Sequence, residues 1–570
     1  MKSGLGVLLA GLLSLSGTGR AIGPQVPAAE REAARDITPE RLRAHIRFLA
    51  SDLLEGRGPT TRGDRFAEAY LQSQLEALGL APGAPEGGFI QKVPLVGIRP
   101  ASAAGAVFRS DRGVTQGVPG ESFVGSSGVQ LPEAKVEDAE IVFVGYGIQA
   151  PEYRWDDFKS ADLAGKVLLI MNNDPEGSAS EPDLFAGKTR LRYGRWDYKY
   201  AMAGSKGAAG AIIIHTTPSA GYPWQVVKSS WSGELFELPD DGKPRVQVKG
   251  WATEELARSI AALGGKDLDQ LRSAAQDRSF RPVPLGVKMS FALHNEISRK
   301  ESGNVIAVLR GSDPVRAKEA VLYTAHHDHL GLKPGPKPGE ELIYHGALDN
   351  ASGVAAVLSV ARAFASLPAK PARSIVFAFV AGEEQGLLGS QWLAAHPPFP
   401  AGRIAADINV DMIGWFGKTR DLTMIGLGKS SLDADVEALA AMQGRTVKPD
   451  AFPDRGAFYR SDQYSLAQVG IPAAYLGGGN DVIGKPEGFG RQERERFEKS
   501  DYHQPSDAFR EDWDLSGAVE DVQLDFYLGC RLANAKGMPV WKSGDEFEPA
   551  RRKALAEAAK DAGALNPPVR

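Results

Sequence analysis

The sequence predicts an α/β protein: a mixed, mostly parallel sheet with helices on both faces, interrupted by an inserted, β-rich α/β unit. The runs AVLYTA (320–325), SIVFAFVA (374–381) and IAADINV (404–410) have the length and unbroken apolar character of strands covered on both faces. A long helical stretch, ASGVAAVLSVARAFASL, follows the first of these runs, so strands alternate with helices. From about 112 to 290 the texture shifts to shorter strands and turns, which marks a separate unit. With 570 residues, 43% of them hydrophobic, the chain can bury more than one core.

The first stretch, MKSGLGVLLAGLLSLSGTGRAIG, has a basic start, an apolar centre and small residues before a possible cut after Ala21. This is a secretory signal pattern, too short and too Gly-rich for a membrane span. The expected location is therefore the periplasm or the exterior, with no stable membrane insertion. ITPERLRAHIRFLASDLL follows as a helix with Thr38 as N-cap, and DRFAEAYLQSQLEALGL as a second helix ending at Gly79. This pair opens a first part of the main domain over 36–111.

Within the insertion, AEIVFVGYGIQAPEY and LAGKVLLIMNNDP read as strands, and KYAMAGSKGAAGAIIIHTT as a helix running into a strand that ends at His215, a structural histidine. ELPDDGKPRVQVKG with WATEELARSIAALGG closes the unit, and MSFALHNEISRKESGNVIAVLRG returns to the main sheet for 291–541. Asn350 or Ser352 is the candidate N-cap of the long helix. The stretch NDVIGKPEGFGRQERERFEKSDYH reads as a charged loop, and 542–570 as a peripheral helix with a frayed end. Cys530 is the only cysteine, so no disulfide forms within the chain, and it reads as a small buried residue. A formal net charge of -5 and a pI near 6.1, with Lys and Arg scattered, leave no basic footprint for nucleic acid.

Chemistry concentrates in five fragments: His326 and Asp328 in YTAHHDHLG, Asp349 in GALDNASG, Glu383 and Glu384 in VAGEEQG, Asp411 in NVDMIG, and His503 in DYHQPSD. Three of them directly follow the apolar runs, and in open α/β sheets ligands gather at the carboxyl ends of strands. Two metal ions roughly 3.5–4 Å apart need a bridging carboxylate, further N or O ligands and a base for a water. Two imidazoles and three carboxylates supply the ligands, and one carboxylate remains for the proton.

These fragments, in this order, resemble the M28 family of zinc peptidases over roughly 40–110 and 300–535. AGKVLLI and SKGAAGAIIIH in the insertion resemble the protease-associated domain that such enzymes often carry. The resemblance implies two zinc ions: His326 and Asp411 on one, Glu384 and His503 on the other, Asp349 bridging. It implies Glu383 as general base, Tyr502 as hydrogen-bond donor to the oxyanion, and a cis Asp349–Asn350 peptide. Asp328 would accept the other N–H of the His326 imidazole. His327, His329 and His345 are not ligands in the family pattern. Gln463 stands where many relatives have His, a departure from the resembled pattern that puts any ligand role there in doubt.

The implied activity is that of an exported aminopeptidase acting on peptides. A carboxypeptidase or dipeptidase of the same fold would need a cationic pocket, for which Arg455, Arg460 and Arg491 are available. A glutaminyl cyclase, which uses one zinc, is the alternative outside peptide cleavage.

Overall fold

The computed structural model describes residues 26–102, 105–177, 179–231, 233–333 and 339–564; the candidate signal segment 1–21 lies outside them. The helix Pro39–Leu49 begins where Thr38 accepts the Arg41 N–H at 3.4 Å, and it buries Leu42, Ile46 and Leu49 along one stripe. The helix Arg62–Ala77 is capped in the same way by Thr61. It stops two residues before Gly79, whose φ of 71° supplies the left-handed turn.

Four strands form the parallel centre of the larger sheet, in the order Ser374–Val380, Ala320–His326, Ile404–Asn409, Ala473–Gly478. The C-terminal part of Val283–Leu309 flanks them antiparallel on one side, with Ile90–Pro100 beyond it. Asp421–Ile425 flanks them antiparallel on the other side, followed by Thr446–Pro449. Every residue of Ala320–His326 and Ser374–Val380 is buried, which is why their sequences show no polar alternation. Val321, Tyr323, Phe377 and Phe379 pack with the helices Gly353–Ala365 and Ser516–Asn534 on one face. Leu322, Val376 and Ala378 point to the other face, toward Leu393 and Leu466.

The smaller sheet holds Gly113–Gly117, Ala106–Ser110, the N-terminal part of Val283–Leu309, Glu133–Phe143, Val167–Met171, Gly210–His215, Val248–Thr253 and Phe123–Ser127. It therefore begins at Ala106 and continues through His294, past both expected limits of 112 and 290. A single 27-residue strand, Val283–Leu309, serves both sheets, so no linker marks that boundary. His215 lies buried between Trp224 and Trp251 with Nε2 3.1 Å from the Tyr222 carbonyl, and Cys530 is buried.

Two expectations need correction. The charged stretch before Tyr502 contains the helix Phe489–Ser500, held by the Arg491–Glu495 and Arg496–Glu493 pairs and anchored by buried Phe497. The tail helix Glu548–Ala564 is docked rather than peripheral, because buried Arg551 donates to the carbonyls of Pro539, Ala401, Ile404 and Ala405.

Arg57 ties the first helices to the sheet ends. Its fully buried guanidinium donates to the carbonyls of Leu49 at 2.6 Å, His327 at 2.8 Å, His345 at 2.8 Å and Gly346 at 2.9 Å. Arg57→Ala would strand those carbonyls, and it should lower stability by about 3 kcal/mol, read as a shift of the urea midpoint at unchanged slope. An unmoved midpoint would show that water replaces the guanidinium without loss.

Candidate metal centre

The parallel strands end at one level and deliver their following residues to one place. His326 closes its strand opposite Val380, and Thr324 pairs with Asn409, so Glu383, Glu384 and Asp411 emerge beside it. Asp349 comes from the turn before the long helix, and its peptide bond to Asn350 is cis. Asn350 rather than Ser352 caps that helix: its Oδ1 accepts the N–H groups of Gly353 at 2.8 Å and Met412 at 3.1 Å, and its Nδ2 donates to the Val410 carbonyl at 3.0 Å. Ser352 instead donates to the Leu348 carbonyl at 2.7 Å. One amide thus locks the Asp349 turn to the segment carrying Asp411.

The carboxylate of Asp349 lies between two imidazoles. Its Oδ1 is 3.3 Å from His326 Nε2, and its Oδ2 is 3.3 Å from His503 Nε2. Asp411 Oδ1 lies 3.5 Å from His326 Nε2, and Glu384 Oε2 lies 2.9 Å from His503 Nε2. Both imidazole nitrogens are buried and make no hydrogen bond among the described residues. A buried nitrogen without a partner, faced by carboxylate oxygens, is what a cation between them would satisfy, and the mixed N and O donor set suits zinc.

The surroundings differ from expectation at Asp328. His326 Nδ1 meets the backbone carbonyl of Asp328 at 3.3 Å, whereas the nearest carboxylate oxygen is 3.7 Å away. That carboxylate accepts the N–H groups of Glu383 at 3.1 Å and Glu384 at 3.4 Å. Two backbone donors in one turn compete successfully for it, so Asp328 shapes the Glu383–Glu384 turn rather than the imidazole. Gln463 brackets the same region: its Oε1 accepts from Asn409 Nδ2 at 2.7 Å, and its Nε2 donates to the Phe458 carbonyl at 2.7 Å.

Three contacts escaped the sequence reading. His329 Nδ1 lies 2.7 Å from Glu384 Oε1, with its Nε2 buried and unpartnered, so His329, Asp349 and Glu384 form a second donor group beside His326, Asp349 and Asp411. Asp507 accepts the N–H groups of Leu348 at 2.9 Å and Asp349 at 3.1 Å, and its place in DYHQPSD, four residues after His503, was the available signal. Arg460 donates to the Tyr502 hydroxyl at 3.1 Å. His327 pairs with Asp64 at 3.1 Å and His345 lies 3.1 Å from the Ala50 carbonyl, both structural contacts.

Burial sets the protonation of these groups. It pushes Glu383 well above the usual carboxylate range, opposed by His326 and reinforced by Glu384, Asp462 and Asp411. Burial pushes Glu384 upward most strongly, but the His503 and His329 charges and the His329 hydrogen bond together outweigh it and hold that carboxyl at about 2. The Tyr502 phenol is pushed well above its ordinary value by burial, with Arg460 opposing, so it stays protonated and able to donate. Its ring stacks on His503 at 3.9 Å.

The fold and donor set define an α/β protein of the metallohydrolase class. More narrowly, residues 304–527 match the family model for Peptidase family M28. A segment of 111 residues, 19% of this chain, is 45% identical to a "Probable zinc metalloprotease" of Pyrenophora teres f. teres (strain 0-1), covering 22% of that protein. Another match, 32% identical over 111 residues, is to "Aminopeptidase NAALADL1" of Mus musculus, covering 19% of this chain and 13% of that protein. The matched part thus spans less than a quarter of these relatives. Among solved structures, the aminopeptidase from Aneurinibacillus sp. strain AM-1 shares the fold with a TM-score of 0.50 at 19% identity, over 88% of this chain and 96% of that one.

Removing the Asp328 carboxylate should disorder the turn that bears Glu383 and Glu384. Asp328→Ala is expected to lower turnover of a peptide substrate by about 10- to 100-fold, and Asp328→Asn, which keeps one acceptor, by less. Equal rates for wild type and Asp328→Ala would mean that the turn holds itself.

Proposed function

We propose that the chain is an exported aminopeptidase that removes N-terminal residues from peptides with two zinc ions. The observation that carries this reading is the Asp349 carboxylate, whose two oxygens face His326 on one side and His503 on the other. His326 and Asp411 would hold one ion, Glu384 and His503 the other, with Asp349 shared. Bound zinc would supply Lewis-acid activation of a water and of the scissile carbonyl.

The chain's own groups supply the rest. Glu383 acts as general base: it takes the proton from the attacking water at its carboxylate and passes it to the departing amine. Its burial beside other carboxylates raises its affinity for that proton, and bound cation charge would work the other way, toward the range where the group can both accept and release. Tyr502, held protonated, donates to the carbonyl oxygen as negative charge develops there. Asp328 positions the Glu383 backbone and so the base itself.

Polarity is argued from charge. Of the three arginines available to a carboxypeptidase, Arg455 is paired with Glu498 and Arg491 with Glu495, while Arg460 is turned onto Tyr502. A centre crowded with buried carboxylates attracts a substrate ammonium more readily than a terminal carboxylate. We read the unit built on the smaller sheet as a protease-associated domain. Export rests on the N-terminal pattern; among the described residues no helix is long and apolar enough to cross a membrane.

The direct test is mass spectrometry of a mixed peptide and its N-acetylated twin after incubation with the protein. Stepwise loss from the free amino end alone is expected; trimming from the carboxyl end would overturn the polarity. Glu383→Gln should keep its metal content and lose about 10²- to 10⁴-fold in turnover, and wild-type rates would refute the base assignment. Asp349→Ala should lose metal from both positions, measured by elemental analysis after gel filtration; full occupancy would rule out a shared ligand.

A further inference from the structure

The two imidazoles of the centre are oriented by different parts of the chain. His326 Nδ1 is held at 3.3 Å by the Asp328 carbonyl, two residues along the same turn. His503 Nδ1 meets Ser230 Oγ, also at 3.3 Å, and Ser230 lies 273 residues away. It ends the helix Trp224–Ser230, which belongs to the segment between the smaller-sheet strands Gly210–His215 and Val248–Thr253.

His503 sits on left-handed backbone with φ 56°, so its ring depends on its contacts for orientation. With an ion held at Nε2, which faces Asp349 and Glu384, the ring proton would reside on Nδ1, where Ser230 Oγ stands ready to accept it. The chain following Ser230 is anchored. Next to it Trp231 packs edge-on against Trp196 at 5.5 Å and Trp251 at 6.2 Å, and a few residues on the Phe236 N–H reaches Gln385 Oε1 at 3.1 Å. The latter contact ties the segment to the turn of Glu383 and Glu384.

We infer that Ser230 is a positioning residue for His503, so that the inserted segment sets how tightly the Glu384–His503 half of the centre holds its ion. This rests on the metal reading proposed above. The His326–Asp411 half is self-contained, because its orienting carbonyl comes from its own turn. By thermodynamic reciprocity, an ion held by His503 must in turn steady the helix Trp224–Ser230 against the site.

The experiment uses the full-length protein as wild type, Ser230→Ala and Ser230→Thr. Zinc retention is followed through a chelator titration, and hydrogen exchange of 224–231 is measured with zinc bound and removed. Ser230→Ala should release its weaker-held zinc at about 10-fold lower chelator concentration while the tighter-held zinc leaves as in wild type. Ser230→Thr, which keeps the hydroxyl, should restore the wild-type curve, and the thermal midpoint of the zinc-free proteins should be the same. Zinc removal from wild type should speed exchange in 224–231.

Identical titrations for wild type and Ser230→Ala would overturn the inference alone. So would a Ser230→Thr protein as weak as Ser230→Ala, or a loss shared by both zinc ions. A wild-type protein that binds no zinc would overturn the metal reading and this inference together.

Discussion

Everything at this site answers to one electrostatic constraint: Asp328, Asp349, Glu383, Glu384, Asp411, Asp462 and Asp507 are brought together at the ends of buried strands. Burying a carboxylate costs several kcal/mol unless charge and hydrogen bonds compensate. The chain compensates unevenly. Arg57, pulled down to about 10 by burial yet still charged, lies near Asp328, Asp507, Asp349 and Glu384. His326, His329 and His503 add further partners, and backbone N–H groups serve Asp328 and Asp507. Asp462 is the least served: both its oxygens lack a hydrogen bond among the described residues, and burial pushes it up to about 7. A divalent cation bound here would supply opposite charge to this cluster, and in such sites binding energy is also folding energy.

The same constraint explains why the centre is built from so many parts of the chain. A rigid parallel sheet can present His326, Glu383, Glu384 and Asp411 from adjacent strands, but it cannot surround them. Asp349 and His503 must come from turns, and turns need anchors. Asn350 and Asp507 anchor Asp349 through side-chain bonds to distant backbone, and Arg57 gathers the carbonyls of three separate segments. His503 takes its Nδ1 partner from the inserted segment, in addition to the Tyr502 ring stacked on it.

What was legible in the sequence follows from this division. The donors themselves sit in short motifs beside unbroken apolar runs, and both strand and motif are local signals, so the sheet core and the converging residues could be read directly. Orienting contacts are long-range, and nothing local distinguishes Ser230 from any other helix-terminal serine. His329 reads as a neighbour of the motif until the fold turns its Nδ1 onto Glu384. The helix Phe489–Ser500 hid because ion pairs hold much of its surface and few of its residues are buried, leaving little apolar period to detect. The limit between the two sheets was blurred because one continuous strand belongs to both.

Gln463 shows how a departure from the resembled pattern can leave a site intact. A neutral imidazole offers one N–H donor and one acceptor nitrogen, and a primary amide offers both functions on one planar group. Here the amide accepts from Asn409 and donates to the Phe458 carbonyl. Asn409 ends its strand two residues before Asp411, and its amide also reaches Ser461 at 2.9 Å. The bracket therefore fixes the strand end that delivers Asp411. Since the bracket uses one donor and one acceptor rather than a metal ligand, glutamine meets the requirement.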